Sequence, residues 1–302
     1  MALKQIKNKI IATLKTGQVT KAMEAVSAVK MRKSQQKAFV GRPYVHSAMR
    51  ILQKLSESNE GLSHPFAQKR EEGKSLVVIV TSDKGLAGSV NSAVLKRAEV
   101  LFGESSDTDT ICIGRKATEF AFRQKKSVLE SFTNISDNVA LSDVYLMSTL
   151  VLEKFKEGTY THVYVLYQNF ISTFEQEPAK RQILPLDHAE IHNIMTGIKP
   201  RHGKFSDNQV STDTMVQYLI EPSAEEVLDT LIPQLIQIML YHALIESKAC
   251  EHSARMVAMK NATDKSQEVA KSFTLIYNKE RQTAITAEVS EITGGIEAMS
   301  QK

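Results

Sequence analysis

The last third of this chain restricts its fold more than any other feature. From Pro222 to about Ile292 apolar residues recur by threes and fours, among them Leu228, Leu231, Ile232, Leu235, Ile238, Met239, Ile245, Met256, Val269, Phe273, Ile276, Ile285, Val289 and Ile292, the spacing of one helical face. The segment opens with Pro222-Ser223-Ala224-Glu225-Glu226, where Ser223 can cap and the acids suit the positive end of the helix. Pro233 is expected to kink only the first turns. At 1.5 Å per residue, roughly 70 helical residues reach on the order of 100 Å, more than a compact domain of this size needs. The helix is therefore expected to project outward, and its apolar stripe needs a partner.

The opposite end of the chain supplies one. Leu3 to about Ser58 has few breakers and places Leu3, Ile6, Ile10, Met23, Val26, Ile51, Leu52 and Leu55 at helical spacing. Gly17 and the run Gly41-Arg42-Pro43 each weaken a helix, so local bending is expected there. Two such helices can cover each other's stripes as an antiparallel coiled coil.

Between them the pattern changes. Asn59 to Lys74 is polar, with Gly61, Pro65 and Gly73, and reads as a linker. Leu76 to Val80 reads as a buried strand, followed by the loop Ser82-Asp83-Lys84-Gly85-Leu86-Ala87-Gly88-Ser89 and a helix over Val90 to Phe102. A strand at Ile111 to Ile113, helices at Lys116 to Gln124 and Ser142 to Phe155, and a strand at His162 to Tyr167 continue the alternation; shorter strands are read at Phe170 to Phe174, Gln182 to Leu186 and Gln217 to Ile220. This alternation signals an α/β layer. The expected fold is α/β, a long antiparallel coiled coil of N- and C-terminal helices with a Rossmann-like α/β globular domain inserted between them. The expected segments are 1–58, 75–221 and 222–302.

Composition excludes several functions. With 42% hydrophobic and 24% charged residues, the chain is neither disordered nor dominated by membrane spans, and no stretch is read as a membrane helix. Cys112 and Cys250 lie far apart with no CxxC pairing, which fits a reducing compartment and suggests neither disulfides nor zinc. The start MALKQIKNKI lacks the apolar core of a secretion signal. Net charge is only +4, yet between Lys4 and Arg42 the single acid is Glu24, so the N-terminal segment carries a concentrated positive field and implies an acidic partner.

The chemistry-bearing residues form no reactive constellation. The loop at Asp83 to Ser89 lacks GxxxxGK[ST] and reads as a strand-to-helix turn rather than a phosphate cradle. The histidines include no HExxH, and His188 with His192 is a lone pair in loop sequence. Glu251, Asp264 and Glu268 read as a solvated helix face. No catalytic, cofactor-binding or metal-binding residue is assigned. From the residues alone, two further readings stay open: a basic helix that binds nucleic-acid phosphates, weakened by the absence of Trp and of interleaved aromatics, and a passive coiled-coil scaffold.

Three blocks carry a resemblance. The run from Thr20 to Gln35 (TKAMEAVSAVKMRKSQ), the run from Glu251 to Asp264 (EHSARMVAMKNATD) continued by Tyr277 to Thr286 (YNKERQTAIT), and the loop Ser82 to Gly88 (SDKGLAG) resemble gamma subunits of F-type ATP synthases. The loop departs from the family's SDRGLCGG at Lys84, Ala87 and Ser89. The resemblance covers the full length.

It implies the central-stalk rotor of the synthase, passing torque between an ion-driven c-ring and catalytic beta subunits for ATP synthesis or hydrolysis while catalysing nothing itself. Implied partners are the alpha and beta subunits of the hexamer, the epsilon subunit and the c-ring, with no nucleic acid, no cofactor, and membrane association only through the complex. The implied location is the cytoplasmic face of the bacterial inner membrane. By motif alignment, Met23 matches the position facing an acidic beta-subunit lever, and Arg281, Gln282 and Thr286 match the region that hydrogen-bonds beta loops. Lys30 and Arg32, with Lys21 and Lys33, supply attraction across the same interface. Small or flexible residues such as Ala22, Ala25, Ala28, Met23 and Met31 suit a surface that must turn, and exposed charge contacts of about 1 kcal/mol or less can break and re-form.

Overall fold

A computed structural model describes residues 3–57, 64–104, 107–186 and 223–300. The elements are α1 (Leu3–Glu57), β1 (Lys74–Val80), α2 (Val90–Glu104), β2 (Thr108–Ile113), α3 (Arg115–Arg123), β3 (Ser127–Phe132), α4 (Leu141–Lys156), β4 (Tyr160–Phe170), β5 (Gln176–Leu184) and α5 (Ala224–Ser300). α1 stays helical through Gly41 and Pro43, and α5 through Pro233, although neither proline can donate a backbone hydrogen bond. The strand read at 217–220 and the pair His188 and His192 lie outside the described residues.

The chain divides into two compact units, one formed by residues 1–26 and 256–302, the other by Ser27–Arg255. The second contains a five-stranded sheet in the order β3-β2-β1-β4-β5. β1, β2, β3 and β4 pair in parallel, and β5 runs antiparallel to β4. With β1 at the centre and the first three strands fanning to one side, this is the strand order of a Rossmann-type half.

The apolar runs are strands because both faces of the sheet are covered. Leu76, Val78 and Val80 of β1 join Val163, Val165 and Tyr167 of β4 in one core with α4 and the first part of α5. Val77 and Ile79 point the other way, into a core with Val94 and Ala98 of α2 and Ala117 and Phe120 of α3. Alternate residues feed opposite layers, as the pleat requires. The apolar stretch of α5 is long enough by composition to cross a membrane, but 61% of it is buried; its Leu228, Ile232 and Leu235 belong to the first core.

Three details differ from the sequence reading. β3 was not anticipated: SVLESF alternates weakly because it is the outermost strand and half exposed. Phe170 to Phe174 is not a strand; β4 ends at Phe170 and a turn follows, closed by Ser172 N–H donating to Glu175 O at 2.9 Å. The strand read at Gln182 to Leu186 begins earlier, at Gln176, since the polar stretch QEPAKR pairs with β4 along an edge where one face is open.

Candidate coupling surface

In the first unit α1 and α5 pack antiparallel. Thr20 Oγ1 lies 2.7 Å from Thr263 Oγ1, a Cβ on Gly17 would run into Ser266 Oγ, and Lys9 Nζ sits 5.7 Å from the centre of the Phe273 ring. Each step back along α1 is a step forward along α5. The buried α5 positions Met259, Thr263, Ser266 and Ala270 follow a four-three-four rhythm, the knobs-into-holes spacing.

The α1 side of the seam differs from the sequence reading. Its buried residues in this unit are Ile6, Gly17 and Thr20, while Val26 is 54% exposed and Ile10 and Met23 are half-buried. The seam is built from small residues, and Gly17 works as a contact point for a close backbone approach rather than as a breaker. Met31, expected at the surface, is buried.

The register brings Leu3 opposite the neighbourhood of Glu280. Beyond that level no described residue of α1 faces α5. There Ile285, Val289, Ile292, Ile296 and Met299 recur at four-three-four-three spacing and are 52% to 83% exposed. A heptad seam continues there with no described residue of α1 against it.

In the second unit, the crevice at the carboxyl ends of β1 and β4, where Rossmann-type sheets hold ligands, is filled by α5. Leu244, Ser247, Lys248 and Glu251 enter it, leaving a cavity of about 20 Å³, far below the several hundred Å³ of a small-molecule site. Ser247 Oγ accepts from Gln168 N–H at 3.2 Å.

The loop Ser82–Gly88 spends its polar groups on itself and on neighbouring elements of the protein. Ser82 N–H donates to Asn91 Oδ1 at 3.0 Å and Ser82 Oγ donates to Lys84 O at 2.7 Å. Asp83 accepts from the backbone N–H groups of Arg115 at 3.0 Å and Asn134 at 2.9 Å, serving the free N–H at the start of α3. The expected strand-to-helix turn is what the backbone forms. Gly85 O accepts from Arg255 Nη2 at 3.2 Å, and the same nitrogen donates to Glu251 Oε1 at 2.7 Å. Glu251 is thus buried and paired, not solvated; Asp264 and Glu268 are exposed as expected.

Beside this loop lies a polar cluster around Asp137. Lys30 Nζ donates to Asp137 Oδ2 at 2.6 Å, His252 Nε2 lies 3.1 Å from Oδ1, and Lys248 Nζ is 3.7 Å from Oδ1 while donating to Ile135 O at 3.2 Å. Burial opposes ionisation of Asp137, but the Lys30 hydrogen bond and the neighbouring charges outweigh it and hold its carboxyl below the usual range. Burial pushes His252 below the ordinary histidine value, against the pull of Glu251 and Asp137. No sequence signal marked Asp137, whose partners lie 107 and 115 residues away. His252 and Arg255 stood inside the matching C-terminal block, but only the fold shows what they hold.

The six residues singled out for coupling are not gathered at one point. Met23 is half-buried in the first unit; Arg281, Gln282 and Thr286 are exposed there, Thr286 Oγ1 donating to Gln282 O at 2.9 Å. By the register Met23 stands near the level of Lys260, about 30 Å along α5 from Arg281. Arg32 is exposed in the second unit, where the Lys30 ammonium meets Asp137.

A family model described as ATP synthase matches residues 2–299. The ATP synthase gamma chain of Symbiobacterium thermophilum is 36% identical over 299 residues, covering 98% of each chain. The chain belongs to the ATP synthase gamma-chain family. Among solved structures, a chain of the Euglena gracilis mitochondrial ATP synthase shares the fold with a TM-score of 0.68 at 18% identity, over 98% of this chain and 94% of that one. A chain from the central stalk and c-ring of the Tetrahymena thermophila mitochondrial enzyme does so with a TM-score of 0.59 at 24% identity, over 81% and 99%. This gamma-family chain is a gamma subunit of an ATP synthase. Its terminal helices pack together and its sheet domain lies between them in sequence, as expected from the residues.

Proposed function

We propose that this gamma-family chain turns inside a ring of alternating alpha and beta subunits and performs no chemistry itself. Its sheet domain, within residues 75–221, meets the epsilon subunit and the c-ring, and segments 1–58 and 222–302 carry torque. The complex sits on the cytoplasmic face of a bacterial inner membrane, and no nucleic acid is involved. Met23, Lys30, Arg32, Arg281, Gln282 and Thr286 form the coupling face toward the beta subunits.

The supporting observation is the open seam of α5. Five large apolar side chains from Ile285 to Met299 stand exposed beyond the level of Leu3, the first described residue of α1. A stripe of this kind is a contact surface, and a smooth apolar sleeve contributed by several subunits covers it without locking it at one angle. The exposed arginine and lysines of α1 add contacts of about 1 kcal/mol or less each, weak enough to exchange during rotation.

The test is reconstitution of ATP hydrolysis and proton pumping with alpha and beta subunits, using the full chain and a chain ending at Ala284. The full chain is expected to co-purify with the hexamer and support coupled pumping. The shortened chain is expected to keep its sheet domain and lose torque or assembly. A shortened chain that assembles and pumps like the full one sinks the reading, as does a full chain that ignores the hexamer and binds DNA or RNA with steep salt dependence.

A further inference from the structure

Torque generated at the sheet domain reaches the partner subunits only if α1 and α5 turn with that domain rather than slip against it. Two side-chain hydrogen bonds from α1 land on one loop of the sheet domain: Lys30 Nζ on Asp137 at 2.6 Å and Lys37 Nζ on Val139 O at 3.0 Å. The same loop is gripped from α5, by His252 Nε2 on Asp137 Oδ1 at 3.1 Å and by Lys248 Nζ on Ile135 O at 3.2 Å. The loop follows β3, which among the described residues is the outermost strand and pairs only with β2. An edge strand bonded on one side is the part of a sheet least resistant to displacement.

We infer that Asp137 is a positioning residue for torque transfer, a single carboxylate that clamps α1 and α5 to the same loop of the sheet domain so that the three move as one body. The inference rests on the rotor reading and adds a residue to it. Both carboxylate oxygens are engaged, one toward each helix, so the side chain cannot release one helix without weakening its hold on the other. Asp137 is 38% exposed, so the clamp can open briefly. Under load it resists through several charge-assisted hydrogen bonds at once.

The test uses the assembled synthase in vesicles with Asp137→Asn, which keeps the size and removes the charge, and Asp137→Glu, which keeps the charge. Two quantities are read: amide exchange in 133–138, and protons pumped per ATP hydrolysed. Asp137→Asn is expected to raise exchange about fivefold, the effect of weakening a partly exposed ion pair worth roughly 1 kcal/mol, and to lower the pumping ratio while hydrolysis continues. Asp137→Glu is expected to restore both. If exchange rises and the pumping ratio stays at the wild-type value, Asp137 merely stabilises its loop and the inference is overturned. It is equally overturned if neither quantity moves. Should Asp137→Asn fail to assemble, Lys248→Gln removes one arm of the clamp and must lower the ratio to a smaller degree. A wild-type chain that supports no pumping at all refutes the rotor reading instead, so the two failures are distinguishable.

Discussion

Replacing Arg255 by methionine should be among the more damaging single changes available outside the apolar core. The guanidinium is buried and donates from one nitrogen both to Glu251 Oε1 at 2.7 Å and to Gly85 O at 3.2 Å. Methionine fills much of the volume, so the loss is electrostatic: Glu251 keeps its burial and is left with Lys248 Nζ at 3.7 Å as its remaining cation. Removing one member of a buried pair costs about 3–5 kcal/mol, and the surviving lysine sets the expectation at the lower end, about 3 kcal/mol. With a denaturant slope of about 3 kcal/mol per M for a chain of this size, the urea midpoint should fall by about 1 M. The companion variant, Arg255→Met with Glu251→Leu, removes both charges and should recover to within about 1 kcal/mol of wild type. Equilibrium urea unfolding followed by circular dichroism measures all three. A single variant costing less than about 1 kcal/mol, or a double variant as unstable as the single, refutes the claim that the buried pair holds this part of α5 to the Ser82–Gly88 loop.

Two other outcomes follow from the same geometry. His252 titrates below its ordinary value of 6.5 because burial disfavours its charged form, so the folded state binds fewer protons than the unfolded one. Its stabilising contribution is complete above pH 6.5 and is lost as pH falls through 6.5 toward the folded value; His252→Gln should therefore narrow the drop in urea midpoint between pH 7.5 and pH 5.5, and an unchanged drop refutes this. Gly114, at φ 92°, links β2 to α3, and a Cβ there would collide with the Thr81 carbonyl oxygen. Since backbone cannot swing aside, Gly114→Ala should cost about 3 kcal/mol, read as a lower melting temperature, and a melting curve like the wild type contradicts the strain argument.

The long elements of this protein were legible in its residues because their patterns are local. Threes-and-fours spacing over residues 222–292, the breaker-poor start from Leu3, and the apolar run Leu76–Val80 each declare a helix or a buried strand within a short window. The three blocks that resemble gamma subunits added the identity, since a match of that length needs no coordinates. The seam between the terminal helices was not legible. Hydrophobic spacing pointed to Val26 and Ile10, yet the chain buries Gly17, Thr20, Thr263 and Ser266, because closely approaching backbones reward small side chains and a hydropathy pattern cannot register that. Weak alternation hid β3, whose strand character comes from pairing with β2 across sequence. Asp137, Glu251 and Arg255 look like ordinary surface charges in a linear reading. Their burial and partners exist only once α1, α5 and the loops after β1 and β3 meet, because the pairing of charges is a property of distance in space and not of separation along the chain.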